Sequence, residues 1–337
     1  MNERILGLDI GGANLKAATP DGAAAQWPFA LWRQPEQLAD ELQKLLEAFP
    51  HQDIGRFAVT MTGELCDCFR TKRQGVRHIL DAVKQVAAGR RIDVWVTDGG
   101  FVPIEMAYTL PRLVAASNWQ ALATYVSRIA ENAILVDVGS TTTDVIPIVA
   151  GEVAARGRTD EERLPSGELV YTGVRRTPIC ALLGKRVMAE FFATTQDAYL
   201  LLGQLPEDCE DCETPDSRPA MREFAEGRLA RMLGGDVETI PADLILGLAI
   251  EVELHQRGML VDAIRQVRER MLIAPTAVIV SGAGEFLAQA AWVDLCVELE
   301  RTETPELVSF SNQVEPALSR VACAFALAVL AQEQGSL

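Results

Sequence analysis

No apolar run in the chain exceeds the eleven positions from Val321 to Ala331, well short of the roughly 20 residues that a membrane-spanning helix needs. No signal pattern precedes Ile5, so the expected location is the cytoplasm. Histidine is scarce, with three residues in 337. His78 and His255 each fall in an amphipathic helical pattern without a second histidine at ligand spacing, which favours packing roles over metal ligation. The seven cysteines are odd in number and scattered, as expected for reduced thiols and not for a disulfide framework. Cys209 and Cys212 form a CxxC pair, but its acidic neighbours disfavour thiolate and no histidine pair completes a zinc set. Basic residues are also in deficit, 31 against 47 acidic, for a formal charge of −16. Nucleic acid and anionic membranes would be repelled over most of such a surface. An anionic ligand therefore requires a local pocket of backbone N–H groups and a few cations.

What is present is a pattern that occurs twice. ILGLDIGGANLKAA begins at residue 5 and ILVDVGSTTTDVIPI at residue 134. Setting Asp9 on Asp137 places Gly11 on Gly139, Gly12 on Ser140, Ala13 on Thr141 and Lys16 on Asp144, 128 positions apart throughout. Each copy reads as apolar strand, aspartate, small-residue turn and second strand, so the pair predicts a duplicated unit. Between the copies, Leu38 to Phe49 and Val76 to Val86 carry helical spacing, while FAVTMT (57–62) and IDVWVT (92–97) read as buried strands. This alternation predicts an α/β protein, with a junction in the helical stretch Ser117 to Glu131. Expected domains are 1–125 and 126–314, the terminal helix 315–335 returning to the first. Residues 157–167 hold too much charge for a core, and PEDCEDCETPDSRP (206–219) reads as an acidic loop. A long helix over Ala242 to Met271 leads to TAVIVSGAGEF (276–286), a strand running into a third glycine turn.

A strand that ends in aspartate and turns on glycine exposes successive N–H groups, to which serine and threonine hydroxyls add donors; such concavities take phosphate oxygens. One DxG alone serves equally well as an ordinary Asx-capped turn. Two copies in register, with a third turn at Ser281 to Gly284, point to a polyphosphate held from both sides.

These motifs resemble the actin-like ATPase superfamily. DIGGANLK is similar to its first phosphate loop, DVGSTTTD to its second and VSGAGEF to its adenosine-side loop. DVGSTTTDV further resembles the hydantoinase/oxoprolinase group. VTMTGELCDCFRTKRQGVRHIL, ASNWQALA, YTGVRRTPICAL and RLARML are similar to a family linked to tetrahydromethanopterin-dependent one-carbon metabolism, whose archaeal members make a methanofuran precursor. The resemblance implies a two-domain actin-like (ribonuclease H-like) fold with a central ligand cleft. It also implies a transferase that joins an aminomethylfuran-methyl diphosphate to a phenol, γ-glutamyltyramine or a tyrosine-like acceptor, with release of diphosphate.

On that reading Gly11, Gly12, Asn14, Gly139, Ser140, Thr141, Thr142, Gly282 and Gly284 meet the diphosphate, and Asp9 and Asp137 hold Mg²⁺. Lys16 neutralises the leaving group. Asp144 takes the phenol proton or faces the developing cation, with Glu64 and Asp98 as alternative bases. Lys72, beside Arg73 and Arg77, and the pair Arg175 and Arg176 are candidates for substrate charge. The kinase-type first loop usually carries threonine where this chain has Ala13 and then Asn14, which argues against γ-phosphate handling. An ATP-dependent kinase or amidohydrolase, and a nucleotide-binding regulator without catalysis, are the other classes left open. Oligomeric state is not readable.

Overall fold

The computed structural model describes residues 4–49, 54–298 and 304–335. Two mixed sheets carry the architecture, and each is built outward from one copy of the repeated hairpin. The first sheet comprises β1 (Arg4–Ile10), β2 (Asn14–Ala18), β3 (Ala24–Pro28), β4 (Ile54–Met61), β5 (Arg91–Val96) and β6 (Gly100–Pro103), in the order β3-β2-β1-β4-β5-β6. β1, β4 and β5 run parallel, and the outer strands pair antiparallel. The second sheet comprises β7 (Ala133–Val138), β8 (Thr143–Val149), β9 (Glu152–Val153), β10 (Leu169–Val170), β11 (Ala277–Ser281) and β12 (Glu306–Ser309). Its order is β10-β8-β7-β11-β12, with β9 on β8.

The duplication holds at the level of single hydrogen bonds. Asp9 faces Lys16 across the β1–β2 hairpin, as Asp137 faces Asp144 across β7–β8. The Gly11 N–H donates to the Asn14 carbonyl at 3.0 Å and the Gly139 N–H to the Thr142 carbonyl at 2.9 Å, closing the same turn twice. A third equivalence lies in the parallel partners, where Asp9 sits beside Thr60 and Asp137 beside Ser281. The segment Thr60 to Glu64 is therefore the first-half version of Ser281 to Glu285.

Central strands of both sheets are apolar on both faces, as expected where helices cover each side. Leu6, Leu8 and Ile10 of β1 and Val278, Ile279 and Val280 of β11 are fully buried. Helix Ala322–Gln334 lies against β1 and also packs on helix Asn118–Val126, in a cluster that reaches Leu135, Ile146 and Ile279 of the second sheet. These two helices thus join the halves beneath the hairpin turns. Small residues make the approach possible, since a Cβ on Gly7 would stand 1.9 Å from the Ala324 carbonyl oxygen. Helices Ala242–Glu269 and Glu285–Glu298 together pack against the second sheet in a further cluster.

The segment 157–167 stays largely at the surface as its charge predicts, with Arg163 the one charged residue that departs from that expectation. Residues Asp160–Arg163 form a short helix whose Glu162 carboxylate accepts from the Thr159 N–H at 3.3 Å, and Arg163 is 1% exposed. The charge is tolerated because buried acceptors meet it, as described below. The acidic loop 206–219 is likewise tied down: Asp211 pairs with Arg175, and Asp216 with the buried Arg228 at 2.9 Å. No helix among the described residues is long and apolar enough to cross a membrane.

Gly7→Ala tests the close approach of β1 and the last helix. Inserting one methyl group against a backbone carbonyl should cost about 1–3 kcal/mol, seen as a lower melting temperature; an unchanged melt would show that the helix can shift without penalty.

Candidate active site

Both hairpin turns open onto one cavity of about 570 Å³ between the halves. The turn bonds leave the amides of Gly12 and Ala13, and of Ser140 and Thr141, outside the strand ladders at the mouth of that cavity. The Gly173–Arg176 segment supports the second turn from behind. Val174 N–H donates to the Gly139 carbonyl, and the Arg175 and Arg176 N–H groups both donate to the Ser140 carbonyl at 3.0 Å. Gly173 is required by this packing, because its Cβ would stand 2.5 Å from the Ser140 and Thr141 backbone.

Of the residues anticipated from sequence, Asp9, Gly11, Gly12, Asn14, Lys16, Asp137, Gly139, Ser140, Thr141, Thr142, Asp144 and Arg176 line this cavity, as does Glu64. Gly282 and Gly284 are not in its wall. Gly282 has φ +90° and a Cβ there would meet the Val138 carbonyl at 2.3 Å, while the Gly284 N–H donates to that same carbonyl at 2.9 Å. Their small size is spent on packing the turn against β7. Lys72 lines a neighbouring cavity and pairs with Asp160 at 3.4 Å. Arg175 turns to Asp211, and Asp98 to Arg158 at 2.5 Å, so neither joins the cavity. His78 contacts the Pro35 carbonyl at 2.7 Å, away from this site.

Asp9, Glu64 and Asp144 line the cavity in deep burial and Asp137 lines it half-buried, and each titrates above its ordinary range. Burial raises Asp9, with Lys16 opposing the shift. Asp137 is pushed up to about 6 by burial and then by the negative charge of Asp144, again against Lys16. Burial raises Asp144 as well, opposed by Arg163. Glu64 is pushed up to about 7, chiefly by burial, with Asp160 adding to the shift and Lys72 opposing it. Lys16 thus acts on both strand-end aspartates at once.

The sequence reading missed Arg163 and two tryptophans. The Arg163 guanidinium donates to the Asp144 carboxylate and, at 3.0 Å, to the Glu168 carbonyl, and it stacks over the Trp119 ring at 4.1 Å. Arg176 reaches across the cavity to lie 4.2 Å over the Trp32 ring. Unpartnered polar atoms also gather here. Among the described residues, Asp9 Oδ1, Glu64 Oε2 and Trp119 Nε1 are buried without a hydrogen-bond partner, and all three residues line the cavity. Buried polar groups are rarely left so, and their convergence on one cavity marks a place for a polar ligand. The donor set fits a magnesium ion that shares its coordination with phosphate and water: Asp9 offers a free buried oxygen and Asp137 a second carboxylate.

Two sheets of this topology, each opening on a strand–turn–strand hairpin and enclosing a cleft, define the actin-like ATPase fold. A solved acetone carboxylase, described as an enzyme of ATP-dependent acetone carboxylation in its nucleotide-free structure, is similar over 86% of this chain and 67% of its own, with a TM-score of 0.52 and 12% identity. Within that fold, the model of the hydantoinase/oxoprolinase family matches residues 57–330, and the chain belongs to this family. Over 99% of both chains it is 32% identical to the (4-{4-[2-(γ-L-glutamylamino)ethyl]phenoxymethyl}furan-2-yl)methanamine synthase of Methanocaldococcus jannaschii. The synthase of the same name from Methanococcus vannielii is 33% identical over 63% of this chain and 96% of its own.

Glu64→Gln tests the burial of an ionisable group in this wall. Native Glu64 keeps its proton to about pH 7, whereas an unfolded glutamate releases it near ~4.3. Wild-type stability therefore falls as pH rises through that window and levels off above it. The variant should be the more stable protein above pH 7, with the advantage shrinking toward pH 5 in thermal melts. An advantage that does not vary with pH would count against a buried, ionisable Glu64.

Proposed function

We propose that this chain is an aryl-ether-forming transferase of methanofuran-type cofactor synthesis. It joins an aminomethylfuran-methyl diphosphate to the phenol of γ-glutamyltyramine or a tyrosine-like acceptor. The observation that carries this reading is the pair of matched phosphate loops on one cavity, in a chain related end to end to synthases whose product is such an ether. The seven cysteines are free thiols, consistent with a cytoplasmic setting.

In the reaction the furfuryl C–O bond breaks and its electron pair leaves with diphosphate. A new C–O bond forms to the phenol oxygen, and the phenolic proton passes to a base. The amides and hydroxyls of the two turns bind the diphosphate oxygens, and Lys16, beside both strand-end aspartates, offsets the charge that develops on the leaving group. Asp9 and Asp137 would hold Mg²⁺, which when bound supplies further neutralisation of the diphosphate. A phenol of ordinary pKa near ~10 needs help to ionise. Asp144 is engaged by Arg163 and so serves to position that arginine and the turn. Glu64, buried in the same wall with an unpartnered oxygen, is the better acceptor for the phenol proton.

Calorimetry with Mg²⁺ and diphosphate, and separately with Mg²⁺ and ATP, tests the class of ligand. Diphosphate should bind and ATP should bind weakly or not at all; tight ATP binding with turnover would move the chain to the kinase or amidohydrolase class. Glu64→Gln should lower kcat by about 10²–10⁴-fold, the range of a lost general base, while diphosphate affinity stays near that of wild type. Full turnover in this variant would return the base assignment to Asp144.

A further inference from the structure

A second cavity, of about 280 Å³, adjoins the first, and Ala116 and Asp160 belong to the walls of both. Its charged lining is mixed: Lys72, Arg73 and Arg112 on one side, Asp160 and Glu161 on the other. A phosphate subsite would be cationic throughout, and a pocket for an apolar tail would carry no such charges. Both signs at close quarters fit a group that carries both, which is the ammonium and carboxylate of an α-amino acid.

The local structure holds these groups open to exchange. Lys72 begins helix Lys72–Ala87, whose N-cap Thr71 accepts from the Gln74 N–H at 3.1 Å. Its ammonium rests on Asp160 at 3.4 Å, a long contact between partly exposed side chains and so weak on its own. An incoming carboxylate can take Lys72 while Asp160 receives the ammonium. Arg73 and Arg112 are exposed and supply further donors for the carboxylate. Ala116, between the cavities, has φ +48°, a conformation that a side-chain-bearing residue keeps only when its surroundings impose it. Glu64 lines the first cavity together with Ala116 and Asp160, the two residues that both cavities share.

We propose that the second cavity is the subsite for the α-amino-acid end of the phenolic acceptor, an inference that rests on the transferase reading above. The γ-glutamylamino group in the relatives' product name lies at the far end of the phenol ring from the ether oxygen and carries both a free ammonium and a free carboxylate. An acceptor laid across the shared wall presents its phenol to Glu64 and the diphosphate cavity while its charged end sits among Lys72, Arg112 and Asp160. Tyrosine, the shorter alternative, has the same pair of charges.

The test compares γ-glutamyltyramine with tyramine, which lacks the carboxylate, in the wild type and in the Arg112→Ala, Arg73→Ala and Lys72→Ala variants. Arg112 and Arg73 are exposed, so their loss does not threaten folding. The wild type should prefer γ-glutamyltyramine in kcat/KM, and the variants should lose that preference by about 10- to 100-fold, the effect of one charge-assisted hydrogen bond. The loss should fall mainly on KM. Preference retained in all three variants, or activity lost equally on both acceptors, overturns the subsite. Calorimetric binding of γ-glutamyltyramine answers the question without turnover. Binding that depends on Lys72 and Arg112 in a protein that forms no ether overturns the reaction and keeps the subsite, and binding indifferent to them overturns the subsite alone.

Discussion

Burying several carboxylates in one wall with few cations is the constraint around which this molecule is arranged. Asp9 and Asp144 are held out of water and Asp137 is partly buried, under the direct repulsion of Asp144. Such an arrangement opposes folding unless positive charge is supplied at close range. Lys16 supplies it for the strand-end pair and Arg163 for Asp144. The rest follows from that need. Helix Asp160–Arg163 must send its last side chain into the interior while Glu161 and Glu162 stay exposed, Trp119 must cover the guanidinium, and the Glu168 carbonyl accepts from the same nitrogen that meets Asp144. A cationic ligand group or metal ion relieves the same repulsion, so the empty wall is tuned toward what completes it.

The two halves share a plan and differ where the chemistry asks. Lys16 and Asp144 occupy equivalent places on equivalent hairpins, so one half brings a cation where the other brings an anion. Glu64 and Glu285 are likewise equivalent, each closing the loop after a parallel strand. Glu64 is buried and lines the cavity, whereas Glu285 accepts from Gln289 at 3.2 Å as the first residue of its helix. Duplication explains the scaffold, and divergence at single positions explains the site.

Much of this was legible in the sequence, because its signals are local. The spacing between DIGGANLK and DVGSTTTD specifies a shared register, and a strand that ends in aspartate before a glycine turn looks the same in any context. The alternating apolar runs also specified the α/β class. What stayed hidden depends on contacts between distant segments. Arg163 sits in DEER, which reads as solvated because nothing nearby announces the buried Asp144 that receives it. The assignment of Gly282 and Gly284 to a phosphate followed from their likeness to the other turns, but here glycine answers to the approach of β7. Arg175 and Arg176 are neighbours in sequence, yet one is taken by the acidic loop and the other by Trp32, a division that only the folded chain decides.

Outside the core the halves are tied by Lys72 with Asp160, Asp98 with Arg158, and Arg176 with Trp32. All are partly exposed pairings, weak individually and screened by dissolved ions over about 8–10 Å at moderate ionic strength. The junction below them is apolar, formed by the helices beneath the turns, and is far less sensitive to salt. The two connections between the halves thereby rest on different forces, and dissolved ions weaken the outer one without disturbing the inner.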